Sequence, residues 1–444
     1  MTLEQAKDGF KRDPARSLGE TQSATTGYIA LFTIVSLAVL LVAVPVVFGE
    51  PDGSIWSLRK VFIALIVFST MFGYEVFVKR VYRRNFDFSL RRKVSIASVV
   101  DRCLALILCL TIAWTIFFLL SLTFSAILLF FYLALPLILL LAPLYFIMVE
   151  RHAICQQDEL LLLGSWFRWR FLVLGRKKDR DPSFFSLEEK GRISNLLRGI
   201  VIKSFFVPVM VISCIHWWKK WELDAASAIT TFSSLQQGMP VLSEVLSSGF
   251  ASTSDLLFIL DVTVAMLGYL TSCRFLDTHF VSVEPTVTGW LVALICYPPF
   301  NVFFESLALT RVAMVCPESM FKRDLVAAIA FSTGVMVLLF IYSWSTLAFG
   351  LRFSNLTNRG IICSGPYRIV RHPAYASKNL AWWLALIAVV YLDRSVDPVV
   401  VLVLLLISLT YWGRAITEER HLSLETHYRE YCQKVKWRVL PGLA

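Results

Sequence analysis

An all-α, polytopic integral membrane protein with about ten transmembrane helices is the fold class this sequence predicts, on three observations. The 444 residues are 57% hydrophobic and only 17% charged, against about 25% charged in an ordinary soluble domain, and mean hydropathy is +0.66. Apolar runs long enough for a bilayer recur along the chain. Lys and Arg collect between alternate runs. Together these exclude a secreted disulfide scaffold, a disordered chain and an ordinary soluble enzyme. The net charge of +11 is read as basic cytoplasmic loops resting on anionic headgroups, with membrane lipids and not nucleic acid as the partner.

A spanning helix needs about 20 mostly apolar residues. Runs that meet this, wholly or nearly, lie near 27–48, 60–78, 103–121, 125–148, 200–218, 254–273, 286–304, 325–349, 380–392 and 398–413. The first 26 residues are polar and lack a signal-peptide core, so the first run is expected to be a retained helix. The run at 286–304 is interrupted by Pro298-Pro299. The last two runs are short, and a helical hairpin turned at Asp397-Pro398 is expected, since Pro starts a helix well and breaks one badly. Segments 79–102, 149–199, 350–379 and 413–444 carry eight, ten, five and six Lys or Arg residues. With ten spans all four fall on one face, which predicts both termini in the cytoplasm. The chain divides into N-terminal helices over 1–250, with a basic insertion at 150–199, and a C-terminal region over 251–444. The insertion mixes Trp166, Phe167, Trp169 and Phe171 with Arg168 and Arg170, then runs into Arg176, Lys177, Lys178 and Arg180. It reads as an interfacial amphipathic helix, or else a simple loop.

Ionisable groups inside the apolar runs are costly and call for partners. Glu75 and Lys203 lie close enough to span ends to snorkel, and Asp255 is near a boundary. Asp261 is deepest and is expected to serve a cavity or pair with another helix. The nine cysteines form no CxxC and the six histidines no HxxxH or HExxH, so no metal is expected. His216-Trp217-Trp218 and Trp382-Trp383 read as interfacial aromatics.

The chemistry concentrates after residue 350. Ser364-Gly365-Pro366 is a turn. His372 precedes Pro373, which biases its backbone towards the extended region. Tyr367, His372 and Tyr375 supply flat faces with polar tips. Further on, Arg414 and Glu418 are spaced i, i+4 and share a helix side. Glu418 and Glu419 are adjacent, so they cannot both enter one site. A carboxylate at the end of a span suits a cationic ligand or ribose hydroxyls. An arginine beside it suits an anion. A plain helix-end ion pair is the alternative for this RxxxE spacing taken alone.

The RHPxY strip at Arg371–Tyr375, a short membrane hairpin, the Glu418-Glu419 pair and a Tyr-rich amphipathic tail together resemble the integral-membrane methyltransferases, the group of isoprenylcysteine carboxyl methyltransferase and the phospholipid N-methyltransferases. The resemblance covers roughly 350–444. It implies a C-terminal membrane-methyltransferase core that binds S-adenosyl-L-methionine without a Rossmann domain. It implies cofactor contacts from Arg359, Gly360, Ile361, Ile362, Tyr367, His372, Pro373, Ala374, Tyr375 and Glu418, with Arg414 beside the substrate's reacting group. Arg371 belongs to the same motif. The implied acceptor is a lipidic or prenylated molecule. A carboxylate acceptor needs no general base; an amine acceptor does, with Glu419, His372 or His421 as candidates. The ending at 431–442 also resembles the membrane sterol reductases, which use NADPH. A non-catalytic membrane scaffold is the third reading.

Overall fold

The computed structural model describes residues 24–48, 53–120, 125–155, 158–168, 186–235, 242–304, 306–307, 318–394 and 397–442. The polar N-terminal segment and most of the expected amphipathic helix over 166–180 lie outside these. The described chain is mostly helical. Among the described residues six helices are long and apolar enough to cross a membrane: Ile96–Ile116, Leu135–His152, Leu187–Ser233, Leu242–Leu270, Leu325–Arg352 and Pro398–Leu422. Thr25–Ala38 and Ile63–Val78 are shorter apolar helices.

In chain order the helices are α1 (Ala24–Phe48), α2 (Gly53–Gly73), α3 (Ile96–Leu120), α4 (Ser125–His152), α5 (Glu159–Phe167), α6 (Leu187–Leu235), α7 (Leu242–Leu270), α8 (Val287–Leu294), α9 (Glu318–Arg323), α10 (Leu325–Phe349), α11 (Pro373–Asp393), α12 (Pro398–Leu422) and α13 (Thr426–Lys434). Several starts are set by side chains that accept from otherwise unpaired backbone N–H groups. Asp158 accepts from Leu161 N, Thr286 from Gly289 N, Asp324 from Ala327 N and Asp397 from Val399 N. Pro373 and Pro398 begin α11 and α12, where a missing N–H costs nothing. The expected hairpin between the last two spans is therefore present, turned next to Asp397.

One expected span is corrected. The run near 286–304 is not a continuous helix: α8 stops at Leu294, and turns follow through Asn301. Eight residues rise about 12 Å, far short of the roughly 30 Å apolar core of a bilayer. The prolines at 298 and 299 supply the reason. In the other direction, α6 continues for 49 residues, well beyond the expected 200–218.

The largest core draws on both sides of residue 250. It joins Ile34, Met71, Phe206, Trp218, Ile259, Tyr269 and Leu347, all buried. Phe206 and Tyr269 stack at its centre, 5.1 Å apart and 7° from parallel. Gly27 lets α1 lie directly on α10, since a Cβ there would sit 1.8 Å from Leu347 O. A second cluster packs α10, α11 and α12 through Val335, Leu339, Ala381, Ala385 and Leu404.

The four charged groups singled out in the apolar runs each have polar or aromatic company. Asp261 accepts from Tyr342 and Thr346 of α10. Asp255 pairs with Lys220 at 2.7 Å. Glu75 meets Thr26 and Lys79. Lys203 stands over the Phe280 ring.

Candidate active site

A two-residue ladder brings distant segments together. β1 (Ser282–Val283) pairs antiparallel with β2 (Thr357–Asn358), and Glu284 N donates to Leu356 O at 2.8 Å. Leu356 is left-handed, with φ 60°, a conformation that a branched side chain adopts only when its surroundings enforce it. The ladder sets Thr357 and Glu284 against α12.

Between them lies a cleft with about 380 Å3 of atom-free space, open to solvent. One wall is a single face of α12: Arg414, Thr417, Glu418, His421 and Leu422 follow the i, i+3, i+4, i+7, i+8 spacing of one helix side. The others are Glu284, Gly289, Ala293, Leu356, Thr357 and Tyr375. Gly289 is required where it stands, because a Cβ would meet Glu284 Cγ at 2.5 Å.

The cleft separates opposite charges. Glu284 is buried, accepts from Thr286 N at 3.0 Å and from Arg420 at 3.3 Å, and lies 3.7 Å from His421 Nδ1. The other ring nitrogen of His421 is 2.9 Å from Ser282 Oγ. The Tyr375 hydroxyl donates to Glu418 at 2.7 Å. Burial, opposed by Arg414 and reinforced by Glu418, holds the Tyr375 phenol well above its usual pKa, so it stays a donor. Arg414 is buried, yet no carboxylate among the described residues pairs with it. Its guanidinium donates to Asn355 at 3.1 Å and rests 4.7 Å from the Tyr375 ring centre, with Tyr297 and Tyr411 beyond. The Thr357 hydroxyl is also enclosed and has no hydrogen-bond partner among the described residues.

Behind the cleft a second cluster holds the motif in place. Glu419 turns away from Glu418, as their adjacency requires, and does not line the cleft. It accepts from Arg371 at 2.8 Å and Arg438 at 2.9 Å, and His372 Nε2 is 3.2 Å away. His372 stacks on Tyr375, 5.3 Å between centres and 6° from parallel. It thus links the Glu419 cluster to the cleft wall. The tail closes this arrangement: Arg371 N and His372 N donate to the carbonyls of Trp437 and Arg438, both at 2.9 Å.

Four of the fourteen residues expected at the site therefore line the cleft: Tyr375, Arg414, Glu418 and the candidate base His421. Arg371, His372 and Glu419 form the cluster behind it. Pro373 and Ala374 are the first turn of α11. Tyr367 and Ile362 are buried together against Ala348, and Ile361 packs on Tyr428 and Tyr431. Gly360 donates to its neighbour Asn358. Arg359 points elsewhere: its guanidinium donates to Gly268 O at 2.6 Å and Ser272 Oγ at 2.7 Å and covers the Phe280 ring. Burial pushes the Arg359 pKa down to about 9, opposed by Tyr269 and Cys273. Glu284, Thr357, Gly289 and Thr417 were not singled out from the sequence. Thr417 follows from helical spacing with Arg414. Glu284 and Thr357 carry no local signal, because only the long-range ladder brings them in.

A family described as a protein of unknown function, DUF1295, matches residues 287–435. No curated protein and no solved structure matches the chain. The matched stretch takes in α8, β2, the RHPxY strip and the whole of α12 and α13, so the C-terminal region that builds most of the cleft is the part with the family resemblance.

Proposed function

We propose that the chain is a membrane enzyme that transfers a methyl group from S-adenosyl-L-methionine to a lipidic or prenylated acceptor at the cytoplasmic face of the membrane. The observation that carries this reading is the charge arrangement of the cleft: a buried Arg414, with no carboxylate paired to it among the described residues, one turn from Glu418 on the same wall, and Glu284 on another wall. The matching family is associated with steroid 5-alpha-reductase and membrane methyltransferase-like proteins, so it is compatible with methyl transfer and with reduction alike. The cleft favours the first. The Glu418 carboxylate suits a cofactor bearing a sulfonium and an ammonium and would repel a phosphate of NADPH placed beside it, while Glu284 is already engaged by Arg420.

The residues present fit the cofactor. Glu418 suits its ammonium or ribose hydroxyls, and the unpartnered Thr357 hydroxyl offers a further hydrogen bond. When bound, the cofactor would supply an electrophilic sulfonium methyl group for in-line transfer to the acceptor, with the neutral thioether S-adenosylhomocysteine as leaving group. Catalysis then rests on positioning and on excluding water. Tyr375 fixes the Glu418 carboxylate by its hydroxyl. Arg414 orients an anionic group of the acceptor, a carboxylate bidentately. For an amine acceptor His421, held between Ser282 and Glu284, is the base at the cleft. Glu419 is engaged by Arg371, Arg438 and His372 and serves as a framework.

The test is methyl incorporation into membrane lipid and prenylated peptide from the methyl-labelled cofactor. Arg414→Ala is expected to lower incorporation by about a hundredfold or more, as loss of a charged positioning group does, and Arg414→Lys to restore little, since a point charge does not replace the fork. Unaltered transfer by Arg414→Ala would overturn the reading.

A further inference from the structure

At the other side of the loop that carries Ser282 and Glu284 lies an open groove that the proposed reaction does not use. It follows the end of the apolar helix Ile63–Val78, where a π turn (Tyr74–Val78) leads into a 3-10 turn (Val81–Arg84). The groove has about 800 Å3 of atom-free space, and Phe77, Arg80, Tyr82, Arg83, Phe88 and Phe275 are among its lining residues. Its floor is aromatic: Tyr82 stacks on Phe275 at 5.5 Å and 10°, and Phe88 meets Tyr82 edge-on at 5.6 Å.

The cations around it are not equivalent. Lys79 is bonded to Thr26 and Glu75, Arg84 to Asp277, and Arg92 to the Ala153 carbonyl. The guanidiniums of Arg80 and Arg83 have no hydrogen bond or ion pair among the described residues. Arg80 is moreover left-handed, φ 52° and ψ 40°, a backbone that costs a non-glycine residue energy. At the lip, Phe77 is 75% and Val78 65% exposed. Exposed apolar side chains, an aromatic floor and two unpaired guanidiniums thus meet at the end of an apolar helix, where the headgroup layer begins.

We infer that this groove is a binding site for one anionic phospholipid, its phosphate held by Arg80 and Arg83 and its acyl chains lying on Phe77 and Val78. Charge complementarity selects an anionic headgroup, and the apolar lip selects a lipid over a soluble phosphate. The site is separate from the cleft and does not depend on the reaction assigned to it. Phe275 of the groove floor and Asp277, which accepts from Arg84 and Arg352, belong to the same loop as Ser282.

The test is native mass spectrometry of the full chain in detergent, titrated with phosphatidylglycerol or phosphatidylcholine. One saturable phosphatidylglycerol is expected, with phosphatidylcholine binding weakly. The double variant Arg80→Gln, Arg83→Gln should weaken phosphatidylglycerol binding by about tenfold or more, the scale of a lost charge-assisted phosphate contact. Arg91→Gln with Lys93→Gln removes the same charge outside the groove and should leave binding within about twofold. Arg83→Gln alone, at an exposed side chain, reads the loss even if the double variant folds poorly. Equal loss in both double variants, no loss in either groove variant, equal binding of the two lipids, or displacement by soluble glycerol phosphate would each overturn the site.

Discussion

Arg414 and Glu419 show how two buried charges, one turn and a residue apart, acquire different tasks. Arg414 has ring faces and one amide oxygen around it but no counter-ion among the described residues, an arrangement that leaves its charge available to a ligand. Glu419 is the opposite case, surrounded by Arg371, Arg438 and His372. Removing it would strand two guanidiniums in a nearly closed space. Glu419→Ala is therefore expected to destabilise the folded protein by about 3 kcal/mol or more, measured as a fall in thermal midpoint with no ligand present. An unchanged midpoint would mean that the cluster does not hold the tail. Gly289→Ala makes a complementary test, since the added Cβ would push Glu284 from the cleft. A loss of cofactor affinity with a folded spectrum is the expected result, and retained affinity would remove Glu284 from the site. At this scale the sequence was partly legible. The opposed directions of Glu418 and Glu419, and the shared side of Arg414 and Glu418, follow from helix geometry and stand so in the structure. Arg359 was read as a cofactor contact, but its side chain is turned into the end of α7, which no local pattern reveals.

Among the elements, α12 and α13 with the tail decide the shape of the site. Helical periodicity makes the α12 face readable as soon as one of its members is suspected. The tail is another matter: it reaches the RHPxY strip through backbone hydrogen bonds, which carry no residue signature. Tyr431 adds a side-chain tie, donating to Tyr367 O at 2.7 Å. Burial raises the Tyr431 phenol well above its usual pKa, so the donor persists across ordinary pH. Tyr431→Phe should cost about 1 kcal/mol, the usual net worth of such a bond. It should also speed amide exchange at Arg371 and His372, whose N–H groups the tail protects. Unchanged exchange there would show that the tail is held by packing alone. The expected span at 286–304 failed at this same scale. A run can be apolar enough to cross and still be broken by two prolines, leaving α8 to wall the cleft instead.

For the whole molecule, the large core shared by α1, α2, α6, α7 and α10 means that the N-terminal helices are structural partners of the site. They brace α7 and α10, which in turn support the ladder loop and Tyr367. The membrane class was legible from composition because every span must satisfy the same apolar solvent. The assembly of the cleft was not, because Glu284 and Thr357 are remote in sequence and meet only through register. One whole-molecule link is open to titration. Glu159 of α5 joins Arg192 of α6 at 3.1 Å and Arg274 after α7 at 3.6 Å. Burial works against its charge, but Arg274 and Arg192 outweigh it and its pKa falls below the ordinary value of 4.5. A depressed folded pKa means stability that is present above about pH 4.5 and is lost as pH falls through the folded value. Glu159→Gln should therefore lower the thermal midpoint at pH 7, by less than about 1 kcal/mol for a partly exposed pair, and the difference from the parent should vanish on acidification. A pH-independent difference would assign the effect to packing.

The most direct measurement is calorimetric binding of S-adenosylhomocysteine to the purified, detergent-solubilised chain, with NADPH titrated in parallel and Glu418→Ala beside the parent. The account predicts micromolar binding of S-adenosylhomocysteine, lost in Glu418→Ala, and none of NADPH. Binding of NADPH in its place, or S-adenosylhomocysteine binding indifferent to Glu418, would contradict it.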